Sequence, residues 1–117
     1  GESALPSAWY RFAQQIVGDR RFCIAVDLPP ELVGVVATGM LGMPLDAASE
    51  AAQDAGCEFI NLIGGNACTR LEVLGLKLRP EPPIASGVGT PAHPSGPSVR
   101  ADAMAGDSDF SLHVFMG

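Results

Sequence analysis

Glu58 and Asn61 stand three residues apart in the stretch Cys57-Glu58-Phe59-Ile60-Asn61-Leu62-Ile63-Gly64-Gly65-Asn66. A carboxylate makes charge-assisted contacts to a cation. An amide both donates and accepts, so it can orient a water molecule without titrating. On a helix, residues three apart are neighbours on the surface, so the two groups can act on one partner. A helical wheel at 3.6 residues per turn separates two faces here. Ala55, Phe59, Leu62, Ile63, Ala67 and Leu74 gather on one side, flanked by Ile60 and Leu71. Glu50, Asp54, Glu58, Asn61, Gly65, Thr69 and Glu72 gather on the other. Gly65 thus projects beside the pair. A glycine inside a helix costs about 1 kcal/mol relative to alanine, and what it offers here is bareness, so that another backbone can come close. Gly64 points elsewhere, toward close packing. A plainer reading stands beside this one: Glu and Asn are common on solvated helix faces, and a Gly-Gly pair can simply bend a helix.

The rest of the chain must hold that helix. Residues 8–16 and 21–28 alternate between apolar and polar around Val17-Gly18-Asp19, which predicts a β-hairpin turning at Gly18-Asp19. Tyr10, Phe12 and Ile16 take one face of its first strand. Phe22, Ile24, Val26 and Leu28 take one face of its second. Pro29-Pro30 ends the second strand. Glu31 to about Met40 reads as a helix with Pro30 in its first turn, stopped by Gly42 and Pro44. Asp46 reads as the N-cap of the long helix, which runs to about Leu74 and ends at Gly75. Leu76, Leu78 and Ile84 suggest a short extended segment. The Pro/Gly-rich span of about 80–97 reads as a loop. A second hairpin follows across Ala105-Gly106-Asp107-Ser108, with Phe110, Leu112, Val114 and Met116 on one face of the last strand. Strands segregated from helices predict an α+β domain: an antiparallel sheet from N- and C-terminal hairpins, with two helices on one face. The whole chain, 1–117, reads as one domain.

Composition narrows the function. With 117 residues and 47% hydrophobic content, one core is expected. A net charge of −6 and no basic stripe argue against nucleic acid. The most apolar run, Leu32 to Leu45, is too short to span a bilayer and is broken by glycines and Pro44. The start of the sequence lacks a signal-peptide pattern, so the expected location is cytoplasmic. Cys23, Cys57 and Cys68 form neither a disulfide framework nor a zinc spacing. Cys57 and Cys68 would lie about 16 Å apart along one helix, too far to bridge. His93 falls in the proline-rich span and His113 on a strand, and neither has a partner in sequence that suggests catalysis or a metal site. Asn66 falls on the apolar flank of the wheel and reads as structural, a buried amide satisfying backbone groups nearby.

The sequence resembles the CheC/CheX/FliY family of chemotaxis phosphatases, and CheX-type members most. Their pattern is an E-x-x-N helix, typically Glu-Leu-x-Asn-Met-Ile-x-Gly-Asn, and it stands here as Glu58 to Asn66. FCIAVDLPPEL resembles the family's strand-to-helix entry, GMLGMP the glycine-punctuated helix end, and LGLKLRPEPPIASG the strand and proline-glycine segment that follows the E-x-x-N helix. The likeness covers roughly Phe22 to Gly87 well and the final hairpin loosely. Members usually begin with a helix, whereas this sequence runs almost directly into strand. CheC-type members carry a second E-x-x-N, which this chain lacks; a single site is the CheX-type arrangement.

The resemblance implies dephosphorylation of the aspartyl phosphate of a CheY-like response regulator. It implies that Glu58 pairs with the regulator's active-site lysine and that Asn61 holds the attacking water in line with phosphorus. No cofactor or metal is expected on this chain; the Mg²⁺ belongs to the regulator. A homodimer through sheet edges is a further expectation. The alternative is a non-catalytic docking or dimerisation module of the same fold, binding a response regulator or a flagellar switch component.

Overall fold

The computed structural model describes residues 9–88, 98–105 and 108–116. The two alternating runs form strands β1, Tyr10–Gly18, and β2, Phe22–Leu28, paired antiparallel with Phe12 opposite Val26 and Gln14 opposite Ile24. Gly18 adopts φ 130° against the Lys77 carbonyl, where a Cβ would overlap that oxygen, so the turn needs glycine. Asp19 closes the same corner: its N–H donates to Lys77 O at 3.0 Å, and its carboxylate accepts from Lys77 N at 2.8 Å.

Helix α1 spans Pro30–Leu41 and ends on Gly42, whose left-handed φ of 76° lets its N–H reach Thr38 O. Helix α2 spans Glu50–Val73. Its N-cap is Ser49, not the expected Asp46: Ser49 Oγ accepts from Ala52 N at 3.1 Å. Asp46 instead heads the preceding turn, accepting from Ala48 N and, through its backbone carbonyl, from Ser49. Both residues are good caps, and the turn between them delays the helix by three positions. At the other end, Gly75 takes φ 94°, its N–H reaches Glu72 O, and Leu76 N reaches Leu71 O, a Schellman ending.

Strand β3, Leu78–Pro80, and strand β4, Ile84–Val88, both pair with β1. The span read as loop over 80–97 therefore contains a strand. Two prolines masked its short extended run, and what made it a strand was the free edge of β1. Residues 89–97, with His93, lie outside the described residues. Strands β5, Ser98–Ala105, and β6, Ser108–Met116, form the second hairpin, whose turn at Gly106-Asp107 also lies outside them. The sheet is antiparallel in the order β3-β1-β2-β6-β5, with β4 also on β1. No helix among the described residues is long and apolar enough to cross a membrane.

Alternation decides which side chains meet the helices. Tyr10, Phe12, Ile24, Val26 and Leu28 form one core with Leu32, Val33 and Ala37 of α1 and Ala52, Ala55 and Ile60 of α2. The opposite face of the sheet carries a polar network. Arg11 grips Asp27 with two bonds, of 2.7 and 2.8 Å, and His113 Nε2 lies 2.9 Å from Asp27 Oδ2. The His113 ring stacks on Phe115, with centroids 5.6 Å apart. Burial pushes the His113 pKa down; Asp27 pulls it up and Arg11 opposes that pull. This histidine is thus a structural member of a buried network. The thiols of Cys23, Cys57 and Cys68 all have pKa values raised, chiefly by burial, which disfavours reactive thiolates.

Candidate functional site

Helix α2 does not bury the face its large residues predict. The inward line is Ala52, Gly56, Ile60, Gly64 and Cys68, with Ala55 beside it. Leu62 is 50% exposed and Leu74 76% exposed. A wheel weighted by side-chain size points at Phe59, Leu62 and Ile63. The packed helix points at its smallest residues, because they let it settle closest to the sheet. A Cβ on Gly56 would overlap the Phe12 ring, and one on Gly64 would overlap the side-chain oxygen of Gln14. Gly64 thus serves close packing, as its direction on the wheel suggested.

The rotation carries the expected pair to the outside. Glu58 is exposed and has no hydrogen bond or ion pair among the described residues. Asn61, one turn on, is half-buried at the edge of that face, and its Oδ1 accepts from Gln14 Nε2 at 2.7 Å. It is therefore less exposed than a residue on a freely solvated face. Beyond its own helix turn, no heavy atom of the described residues lies within 4 Å of where a Gly65 Cβ would stand, so the surface beside the pair is open. Thr69 Oγ1 donates to Gly65 O at 3.0 Å, one turn back on the same side.

Asn66 departs from expectation. It is exposed and makes no side-chain hydrogen bond among the described residues, so it is not a buried structural amide. The reason is the same rotation: the flank it shares with Leu62 faces solvent.

Glu58 also lines a groove of about 310 Å³ with Met40 and Leu41 of α1 and Ala51, Asp54 and Ala55 of α2. Its lining is mostly apolar and includes Asp54 and Glu58, a surface suited to a partner that offers apolar groups and a cation. Among the described residues, no cluster of three or more His, Cys, Asp or Glu could hold a metal ion.

Gln14 is the residue that sequence reasoning missed. It occupies the inward position between Phe12 and Ile16, where alternation calls for an apolar side chain, and it is 1% exposed. A polar residue at the inward point of an apolar strand was the available signal. Its reach to α2, 47 residues away, was not.

The family model described as chemotaxis phosphatase CheX matches residues 12–96, most of the chain. No curated protein matches. Among solved structures, CheX from Desulfovibrio desulfuricans superposes with a TM-score of 0.81 at 20% identity, covering 93% of this chain and 75% of that one. CheX from Vibrio vulnificus gives 0.82 at 18%, covering 94% and 76%. CheX from Borrelia burgdorferi, in a complex with CheY, BeF3 and Mg²⁺, gives 0.72 at 14%, covering 97% and 78%. At these identities the structures speak for the fold, whereas the family model reads the sequence and spans the E-x-x-N helix. The chain belongs to the CheX family of chemotaxis phosphatases.

Proposed function

We propose that this protein dephosphorylates the aspartyl phosphate of a CheY-like response regulator, with Glu58 docking the partner and Asn61 orienting the attacking water. The carrying observation is the outward pair on α2 beside a bare helix turn: Glu58 exposed and unpaired among the described residues, Asn61 at the edge, Gly65 open. The Borrelia relative solved with CheY, BeF3 and Mg²⁺ supports the partner class.

The chemistry asks little of this chain. The water oxygen bonds to phosphorus as the phosphorus–oxygen bond to the regulator's aspartate breaks, leaving inorganic phosphate and a free carboxylate. Such a transition state is helped by in-line placement and charge stabilisation. The regulator supplies the phosphoryl group, its Mg²⁺ and a lysine. Glu58 adds a charge-assisted contact to that lysine. Asn61 adds an amide that holds water at any ordinary pH. The test is phosphate release from a phosphorylated CheY-like regulator with Mg²⁺ present. A decay unchanged by this protein, for every regulator of its own organism, rejects the enzyme and leaves the docking module.

Gly65 gives a sharper check on the docking face. Gly65→Leu should weaken regulator binding while keeping the fold, because a branched side chain would stand where the surface is now open. Leucine is the better helix former, so thermal stability should hold or rise slightly. Titration of regulator into wild type and variant reads the difference, and equal affinities would remove Gly65 from the interface.

A homodimer through the outer edge of β5 belongs to the same reading. Ser98 to Met104 of β5 are exposed, and among the described residues β5 pairs with β6 alone. Antiparallel pairing with a second copy centred on Ala101 would set Arg100 of each chain opposite Asp102 of the other, an arrangement that opposite charges favour. Sedimentation equilibrium should report twice the chain mass, and a monomer at tens of micromolar would end this part of the proposal.

A further inference from the structure

The Gln14 side chain joins three elements. Its Nε2 donates to Asn61 Oδ1 at 2.7 Å on α2 and to the backbone carbonyl of Glu81 at 2.8 Å, between β3 and β4. Its Oε1 is buried without a partner among the described residues and lies against Gly64. The Glu81 backbone is itself anchored, since its N–H donates to Gln15 O at 2.9 Å.

This arrangement fixes which way two amides face. A primary amide nitrogen has two hydrogens and no useful lone pair; the oxygen only accepts. The Glu81 carbonyl can only accept, so the end of Gln14 beside it must be the NH2. A reversed Gln14 would set oxygen against oxygen there. The second hydrogen of Nε2 then points at Asn61, and Asn61 must answer with its oxygen. The Asn61 NH2 is left facing away from Gln14. The direction of a backbone carbonyl is thereby passed through one buried side chain to the amide on the outer helix face. Because Gln14 itself is buried, the two bonds are stronger than they would be in open water.

The orphaned Oε1 argues that this contact is not kept for stability. A buried acceptor without a donor is unfavourable, and an apolar side chain of similar shape would pack there without that penalty. Local rules broken in this way concentrate at functional sites. Gly64 contributes as well, since any side chain there would push on the Gln14 amide.

We infer that Gln14 is a positioning residue for Asn61, a buried β1 glutamine that holds the Asn61 amide in one orientation with its NH2 turned outward. Across the docking face, Asn61 then offers N–H donors together with the spare lone pair of Oδ1, enough to hold a water by its oxygen and by one hydrogen. This inference rests on the reading of Asn61 as the water-orienting residue.

The experiment is Gln14→Met, which conserves volume and removes both donors together with the orphan acceptor. The turnover rate at saturating regulator should fall roughly ten- to a hundredfold, because a loosened catalytic group loses its placement. The KM should change little, since Glu58 and the docking face are untouched. In an Asn61→Ala background the same substitution should change nothing further. A second readout needs no activity: ¹⁵N relaxation of the Asn61 side-chain NH2 should show an ordered amide in wild type and a mobile one in Gln14→Met. Gly64→Ala, which displaces the Gln14 amide end from the helix side, should repeat both results and serves if Gln14→Met does not fold. An Asn61 NH2 equally ordered in the variants overturns the inference, and so does a rate loss that persists undiminished over Asn61→Ala. If Asn61→Ala alone leaves the rate unchanged, the catalytic reading of Asn61 has failed, and the relaxation data still decide whether Gln14 holds it.

Discussion

Asn61→Ala is expected to lower dephosphorylation at saturating regulator by about two to three orders of magnitude, the scale of one preorganised donor in other active sites. Regulator binding should change little, because the lost interaction belongs to the transition state. Glu58→Ala should behave differently. In the proposed complex its lysine contact is already made on docking, so both binding and rate should weaken. The two substitutions, read as phosphate release across a range of regulator concentrations with Mg²⁺ present, separate anchoring from water positioning. Neither should disturb the fold: Glu58 is solvent-exposed, and Asn61 is half-buried on the helix surface with its side-chain oxygen bonded to Gln14. Full activity in Asn61→Ala would leave a phosphatase without the mechanism argued above. Equal KM for wild type and Glu58→Ala would take the docking role from Glu58.

Phe12→Ala is expected to destabilise the fold by about 3–5 kcal/mol, the range for emptying a buried phenylalanine site. Phe12 is 0% exposed, and its ring fills the space that Gly56 leaves between α2 and β1. Gly56→Ala tests the same contact from the helix side. Alanine is the better helix former by about 1 kcal/mol, yet its Cβ would enter the Phe12 ring, and overpacking typically costs about 1–3 kcal/mol. The net effect in wild type should be destabilising. In the Phe12→Ala background the ring is gone, and the same substitution should stabilise. Urea unfolding of the four proteins reads that change of sign. A stabilising Gly56→Ala in wild type would show that the ring yields freely and that the close approach of α2 does not depend on this glycine.

The Gln14 contact sits one strand residue pair along from Phe12, and together they explain the glycines of α2. Gly56 and Gly64 face the sheet, eight residues and about two turns apart. One receives an aromatic ring and the other an amide. Gly65, adjacent in sequence, faces out, and no other element among the described residues packs against the place of its Cβ. The Gly64-Gly65 pair is therefore two unrelated devices: one lets the sheet approach the helix, and the other leaves the outer face bare, where the proposed docking would occur.

The sequence by itself determined the secondary elements and the candidate pair. The alternation in Tyr10–Gly18, Phe22–Leu28 and Ser108–Met116, the helical period after Pro30 and after Asp46, and the glycines at Gly42 and Gly75 are local signals, and the elements formed there, the long helix three residues later than its expected cap. The pair Glu58 and Asn61 was legible because its spacing is a property of one helix. Three things were decided by the tertiary structure. Strand β4 formed because β1 had a free edge, against the preference of a proline-rich segment. The buried face of α2 was set by how near its small residues let it come to the sheet, which turned Leu62 and Asn66 outward. The tie from Asn61 through Gln14 to Glu81 joins positions 47 and 67 residues apart from Gln14. Periodicity states which way a side chain points along its own element. It carries no information about the polar atom it will meet on another, and that meeting is where the orientation of Asn61 is settled.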